Sequence, residues 1–519
     1  DRIRSRGLGD VYKRQQTYHS DGQILDEVYV YGSYIQSKMY HKGIRCTDCH
    51  DPHKAKLKYT GNALCTNCHQ NQHPSSVYDN PSHHFHKADS TGSSCVECHM
   101  PASVYMDVDS RRDHSLRVPR PDLSVELGTP NACTQCHISD TRLTEAETDG
   151  LELYQDWLLA AREGNETIRE ELKRLDQWAA DAVEEWYGPK ERGPSVATVL
   201  KRVWEGDESV EDELTKMLRS PEVAGMMRAS AAQQLANFES PESLTTAIGL
   251  LSESDPKIVV AALSRLDMEL RRMLPAIDGP GGYDRTKSVV DEILPLLSHP
   301  KLAVRVEAAL VLSGLGAQRG RLIRGDEEKR FEEAVEELQA SIWTQNDRAG
   351  SYVGLGLLYE NLGEFDRAVN TYRTGIKVDP TIVGPRSNLA NILEQRADEM
   401  VQQVQRAVQQ MQFNPNTSQA LRAELEQVAE AETKLRAEVA RLRSEELPLL
   451  AKDAERSPDI AFVQYRYGML LYLNGQPDKA EIALRKAWNL EPENIDYRFA
   501  IALLEKAKGE WAKVFSHCR

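Results

Sequence analysis

Two textures divide this chain. From about Leu151 onward apolar residues return every third or fourth position between charged ones, the spacing of a single buried helix face. The stretch from Leu151 to Trp186 reads as amphipathic helix rich in Glu and Ala, halted at Trp186-Tyr187-Gly188-Pro189 by glycine and proline. Between about Arg396 and Leu450, Leu421, Leu425, Val428, Leu435, Val439 and Leu442 follow at three, four or seven residues, the seam of two long helices about a turn at Phe413-Asn414-Pro415-Asn416. Before residue 140 that period is missing. From Cys46 to His137 large apolar residues are few and Pro, Gly, Asn and Ser many, too little hydrocarbon for a conventional core of that length.

Self-similarity organises the helical part. Ser220-Pro221 leads into M-R-A-S-A-A-Q-Q-L and His299-Pro300 into V-R-V-E-A-A-L-V-L, so that Arg228, Ala231, Ala232 and Leu235 match Arg305, Ala308, Ala309 and Leu312. Asp255-Pro256 opens a weaker copy between them, and His299, at a repeat start, is read as structural. Proline-started helix pairs with small residues at the crossing resemble HEAT-type repeats. The period then becomes 34 residues: from Ala349 to Ile382, Leu355, Gly356, Tyr359, Gly363, Ala368, Tyr372 and Pro380 stand where a tetratricopeptide (TPR) helix pair needs them. A second unit near 461–492 matches through Gly468, Gly475, Ala480, Ala487 and Pro492, with half units at Phe331-Ala334-Leu338 and Leu389-Ala390-Leu393. A last unit begins near Ile495 and reaches Gly509-Glu510-Trp511, with no room for its second helix.

Composition then narrows the function. Length alone, 519 residues, predicts three or so units. With 64 Lys and Arg against 80 Asp and Glu, a charge of -16 and a pI near 5.5 argue against a general nucleic-acid or anionic-membrane binder, since phosphates attract basic surfaces. No run of 18 apolar residues marks a transmembrane segment, and the start has no signal-peptide core. The first fifteen residues, DRIRSRGLGDVYKRQ, resemble translated sequencing-adapter read-through and are set aside. The expectation is a fragment of a longer exported protein; a natural flexible tail at each end is the alternative.

Eight of the nine Cys and twelve of the fourteen His lie between His19 and His137, and they form four copies of C-x-x-C-H. The copies are Cys46-Cys49-His50, Cys65-Cys68-His69, Cys95-Cys98-His99 and Cys133-Cys136-His137. Two thiols three residues apart reach the two vinyl groups of one porphyrin, and the adjoining His lies beneath its plane as proximal iron ligand. Fifteen residues separate the first two Cys pairs, which also fits a zinc ribbon, and disulfides are a further alternative. Zinc needs no His after each pair, yet all four have one, so four covalent haems c with iron are expected. Such a head should stay unfolded without its cofactor. Cys518 has no C-x-x-C partner and is read as incidental.

Eight further His are available as second axial ligands. His41, His53, His83, His84, His86 and His114 are the main candidates, with His19 and His73 as readily surface or core residues. Bis-His ligation of most irons is expected, because six-coordinate low-spin iron changes little on reduction; spacing does not say which His meets which iron.

The run Gly32 to Gly43 followed by C-T-D-C-H-D-P-H, G-N-A-L-C-T-N-C-H at 61–69, C-V-E-C-H-M-P at 95–101 with the later R-R-D-H, and P-R-P-D-L through P-N-A-C-T-Q-C-H resemble multihaem c-type cytochromes with TPRs. Their haem modules are similar in turn to the pentahaem nitrite reductase and hydroxylamine oxidoreductase superfamily. The resemblance implies further haem motifs upstream, which would use some of the surplus His. It also allows a catalytic haem to lie outside this sequence.

The expected fold class is all-α: a haem-packed cytochrome c module at 16–140, a helical connector at 141–192 whose Trp residues act as packing anchors or, as the alternative, as haem neighbours, HEAT-like repeats at 193–318, and TPRs at 319–519 with the inserted hairpin at about 396–450. The expected function is periplasmic, or otherwise extracytoplasmic, electron transfer, with the solenoid docking redox partner proteins. The alternatives are a haem oxidoreductase of small nitrogen or sulfur oxyanions and a repeat scaffold with structural haems. An enzyme would need an open iron and anion donors such as Arg111, Arg112, Arg117 or Arg120, which could equally pair with haem propionates. No residue is assigned a catalytic role.

Overall fold

The computed structural model describes residues 18–508 apart from 26–28, 55, 70–77, 106–108, 139–146, 190–194, 221–222, 224, 414–418 and 493. The adapter-like start, His73, Gly509-Glu510-Trp511 and Cys518 lie outside the described residues. Among those described, every regular element but one hairpin is helical, in keeping with the all-α class. They fall into two compact units, one reaching Leu312 and the other beginning at Ser313.

The first unit opens with short helices: α1 Val30–Tyr34, α2 Lys38–His41, α3 Cys46–Cys49, α4 Ala63–His69, α5 Pro81–His84 and α6 Cys95–His99. An antiparallel hairpin follows, β1 Ala102–Tyr105 with β2 Asp109–Arg112, Ala102 opposite Arg112, and then α7 Pro121–Leu127 and α8 Ala132–Cys136. Helices of four to seven residues do not hold themselves in water. Nor does hydrocarbon hold α2 to α6: between Ile35 and Leu123 no described large apolar side chain is buried.

The connector is two helices, α9 Glu147–Arg162 and α10 Glu166–Tyr187, the second capped by Asn165, whose side chain accepts from Ile168 N. Ile138, Tyr154, Leu172 and Leu175 make their shared core, with Trp157 against it as an anchor. Leu172, Leu175 and Ala179 recur on the buried face of α10, and so does the acidic Asp176. That face packs on α7 and α8.

Seven more helices complete the unit: α11 Val196–Trp204, α12 Glu211–Arg219, α13 Gly225–Gln234, α14 Pro241–Leu250, α15 Pro256–Met273, α16 Gly282–Ile293 and α17 Leu302–Ser313. Ser240 and Asp255 cap α14 and α15, each followed by a proline whose missing N–H costs nothing there. Ala229 and Ala232 are fully buried where α13 meets α15, as small residues at a close crossing must be. The matched arginines act alike. Arg228 donates to Leu218 O at 2.8 Å and Arg305 to His299 O at 2.8 Å, tying each helix to the carbonyls of the segment before it.

In the second unit α18 Arg319–Leu322 and α19 Asp326–Trp343 precede the pair α20 Ala349–Asn361 and α21 Phe365–Val378. A Cβ on Gly356 would stand 2.3 Å from the Tyr372 ring, so this crossing admits only glycine, while Gly363 makes the turn at φ +77°. The long helices α22 Pro385–Phe413 and α23 Gln419–Arg456 pack on each other, clasped by Arg443 and Glu394 at 2.6 Å and sealed by the buried Val439 and Leu442. The turn residues Asn414-Pro415-Asn416 lie outside the described residues. Then come α24 Ala461–Leu473, α25 Pro477–Leu490 and α26 Ile495–Ala507, with Gly468 against Leu484 repeating the glycine contact.

Candidate haem-binding site

Each C-x-x-C-H begins or ends a short helix, and local polar groups fix its entry. Asp48 accepts the backbone N–H of Arg45 at 2.7 Å to start α3, and after it the chain reverses, Lys58 N donating to Cys49 O at 2.9 Å. Asn62 ties motif two to motif three. Its Oδ1 accepts from Cys95 N at 2.9 Å while its Nδ2 donates to Ser93 O and Asp79. At motif four Asn131 caps α8 by accepting from Cys133 N at 3.0 Å. Its Nδ2 and the hydroxyl of Thr134 both donate to the buried Asp176, at 2.9 and 2.6 Å. Burial pushes that carboxyl up to about 6 although both hydrogen bonds oppose the shift.

The thiols of successive motifs are neighbours. Cys65 and Cys95 hydrogen-bond, which lowers Cys65 to about 7 and raises Cys95. Burial first, then the charge of Cys65, raises Cys49; burial and then Cys98 raise Cys133 to about 12. Motif order along the chain is therefore also order in space.

Three motif imidazoles face a second imidazole. His50 stands 6.4 Å from His114 with the rings 25° apart, His99 is 6.3 Å from His83 at 3°, and His137 is 6.2 Å from His86 at 35°. Two collinear metal–nitrogen bonds of about 2 Å each, plus half of each ring, put imidazole centres about 6 Å apart across a metal. Rings in van der Waals contact would sit closer. The tautomers agree: Nδ1 of His99 meets Arg117 O at 2.8 Å, that of His114 meets Arg112 O at 2.9 Å, and that of His86 meets His84 O. A carbonyl accepts only from N–H, so Nε2 of each ring keeps its lone pair for a metal. These residues fit haem iron. They do not fit a zinc ribbon, since among the described residues no three or more Cys, His, Asp or Glu gather as a metal cluster.

The remaining candidates are placed differently. His69 of motif two meets Tyr78 edge-on at 6.2 Å. His84 accepts from His86 N at 3.2 Å through Nδ1, which puts its proton on Nε2 and leaves no outward lone pair. His41 is exposed beside Tyr40, and His53 is exposed in the reversal after motif one, its N–H bonded to Asp51. His19 is held neutral by burial, lowered to about 4 against the pull of Asp21. Arg112 binds Glu97, Arg117 lies 3.5 Å from Asp21, and Arg120 binds Asp122 at 2.6 Å. Arg117 and Arg120 line a cavity of about 150 Å³ beside Cys98.

An aromatic frame from α10 borders the site, and the connector tryptophans divide between the two readings of them. Trp157 is a packing anchor, but Trp178 lies 5.1 Å from His137, and Trp186 stacks on Phe85 at 4.6 Å and 5°. Tyr187 meets His83 at 6.2 Å. Asn62, Asp176, Phe85 and Gly92 are further site residues that sequence reasoning does not single out. The visible signal is the Asn shortly before Cys in G-N-A-L-C and P-N-A-C, a capping residue where a helix must start.

Residues 39–74 match the family model of the doubled CXXCH motif, and residues 349–382 match that of the tetratricopeptide repeat. No curated protein matches the chain. The first match indicates covalently bound c-type haem and a multihaem c-type cytochrome; the second, a surface for protein–protein interaction.

Proposed function

We propose that this protein is an extracytoplasmic electron-transfer cytochrome with four covalent haems, whose helical repeats dock a redox partner. The observation that carries the reading is the set of three opposed imidazole pairs at metal-spanning distance. Bound haem supplies reversible one-electron iron chemistry. His50, His69, His99 and His137 would hold the haem irons from the motif side, and His114, His83 and His86 would hold those of the first, third and fourth motifs from the other. The carbonyls of Arg117, Arg112 and His84 orient His99, His114 and His86. The C-x-x-C-H chemistry is typical of compartments outside the cytoplasmic membrane. Among the described residues no helix is long and apolar enough to cross a membrane.

A second reading, a haem oxidoreductase of small nitrogen or sulfur oxyanions akin to the nitrite reductase and hydroxylamine oxidoreductase superfamily, attaches to motif two. There a phenol ring rather than an imidazole stands beside His69 among the described residues. The carboxylates already paired with Arg112, Arg117 and Arg120 weigh against them as anion donors. Haem counting by the pyridine haemochrome, with electron paramagnetic resonance of the oxidised protein, tests both. Four haems with three bis-imidazole low-spin irons are expected, and His114→Ala converts one of them to high spin. Fewer haems, or a His114→Ala spectrum identical to the parent, contradicts the assignment.

A further inference from the structure

One five-residue segment, Ser82 to His86, carries both distal imidazoles of the third and fourth irons, and a short helix cannot hold two rings in two directions unaided. Asn80 caps α5 by accepting from Ser82 N at 2.7 Å, but α5 ends after four residues at His84. The next residue, Phe85, is left-handed at φ 54° and ψ 24°, a conformation in which its Cβ crowds the carbonyl. That single residue reverses the chain between His83 and His86. Something outside the segment must retain it.

We propose that Trp186 is a positioning residue for both ligands: by stacking on Phe85 it keeps the left-handed turn, and so holds His83 opposite His99 and His86 opposite His137. The inference rests on the bis-imidazole assignment above. Trp186 lies parallel to Phe85 at 4.6 Å, Tyr187 meets the same ring edge-on at 5.6 Å, and the Tyr187 hydroxyl donates to His83 O. All three contacts come from the last turn of α10. The same helix holds the proximal side of the fourth site, through Asp176 on Thr134 and Trp178 on His137. One rigid rod thus spaces proximal and distal halves. Gly92 offers an independent check, because its backbone lies under His86: a Cβ there would stand 2.2 Å from His86 Cδ2, and the three atoms nearest to it all belong to that ring.

The test uses the full haem-loaded chain and reads low-spin signals by electron paramagnetic resonance and carbon monoxide binding to the reduced protein, with haem content as control. His83→Ala and His86→Ala should each open one iron, and Gly92→Ala should open only the iron of His86. Trp186→Ala should open two irons together at unchanged haem content while the His50–His114 signal stays as in the parent, and Trp186→Phe should restore both. If the histidine variants open their irons but Trp186→Ala opens neither, or one, the positioning role is overturned and the ligation stands. Loss of all low-spin signals in Trp186→Ala also overturns it, as a merely structural effect. If neither histidine variant opens an iron, the ligation assignment itself falls.

Discussion

The motif-bearing head and the TPR pair solve the same problem, holding short helices together, by opposite means. In the TPR pair rings and backbone touch: Tyr372 is fully buried against Gly356, and Ala368 and Val369 fill what remains. In the head, rings oppose one another at 6.2 to 6.4 Å, and among the described residues between Ile35 and Leu123 the only buried side chains are Ser37, Asp113, Ser115 and Pro121. Hydrocarbon makes one core; opposed imidazoles and polar clasps frame the other. The difference teaches that a region poor in buried hydrocarbon can still bring its Cys and His motifs to fixed partners through polar contacts.

Withholding haem should break the comparison most sharply. Protein made without cytochrome maturation should lose the head to limited proteolysis while the segment from 349 to 508 survives, because only the first depends on its cofactor. Equal protection of both would contradict this. Next in size, Gly356→Val should destabilise the TPR unit by roughly 1–3 kcal/mol through overpacking against Tyr372. Denaturant unfolding would record that loss, with the haem spectrum unchanged.

A smaller effect sharpens the electrostatics of the head. Asp176 has a folded pKa of about 6 against 3.8 for the free group, so the folded state holds its proton longer. The sign follows: this carboxyl lowers stability as pH rises from about 4 to 6, by on the order of 3 kcal/mol when complete. Asp176→Asn should remove that dependence, and thermal melts of parent and variant across pH 4 to 7 compare them. A parallel pH profile in the two would sink the claim. Smallest, Arg373→Ala breaks the surface pair with Glu438 at 3.0 Å and should cost under about 1 kcal/mol in the same denaturant assay.

Much of the body is legible in the sequence because helix period and small-residue spacing are local signals. Phe331, Ala334, Leu338, Leu389, Ala390 and Leu393, half units by their spacing, are all buried. The role of Trp186 is hidden because Trp-Tyr-Gly-Pro is also an ordinary helix stop, and nothing within ten residues of it hints at Phe85. Asp176 is hidden for the same reason: an acid among helix-face leucines declares itself only when Thr134 and Asn131 arrive from another segment.

What the sequence determined by itself is the chemistry of attachment and the all-helical class. The C-x-x-C-H spacing is set by the width of a porphyrin, and helix periods by the turn of the backbone, both short-range constraints. Which imidazole meets which was decided by the tertiary structure alone. His114 reaches His50 and His86 reaches His137 across gaps of tens of residues, and such pairings depend on how α10 and the polar clasps bring distant segments together.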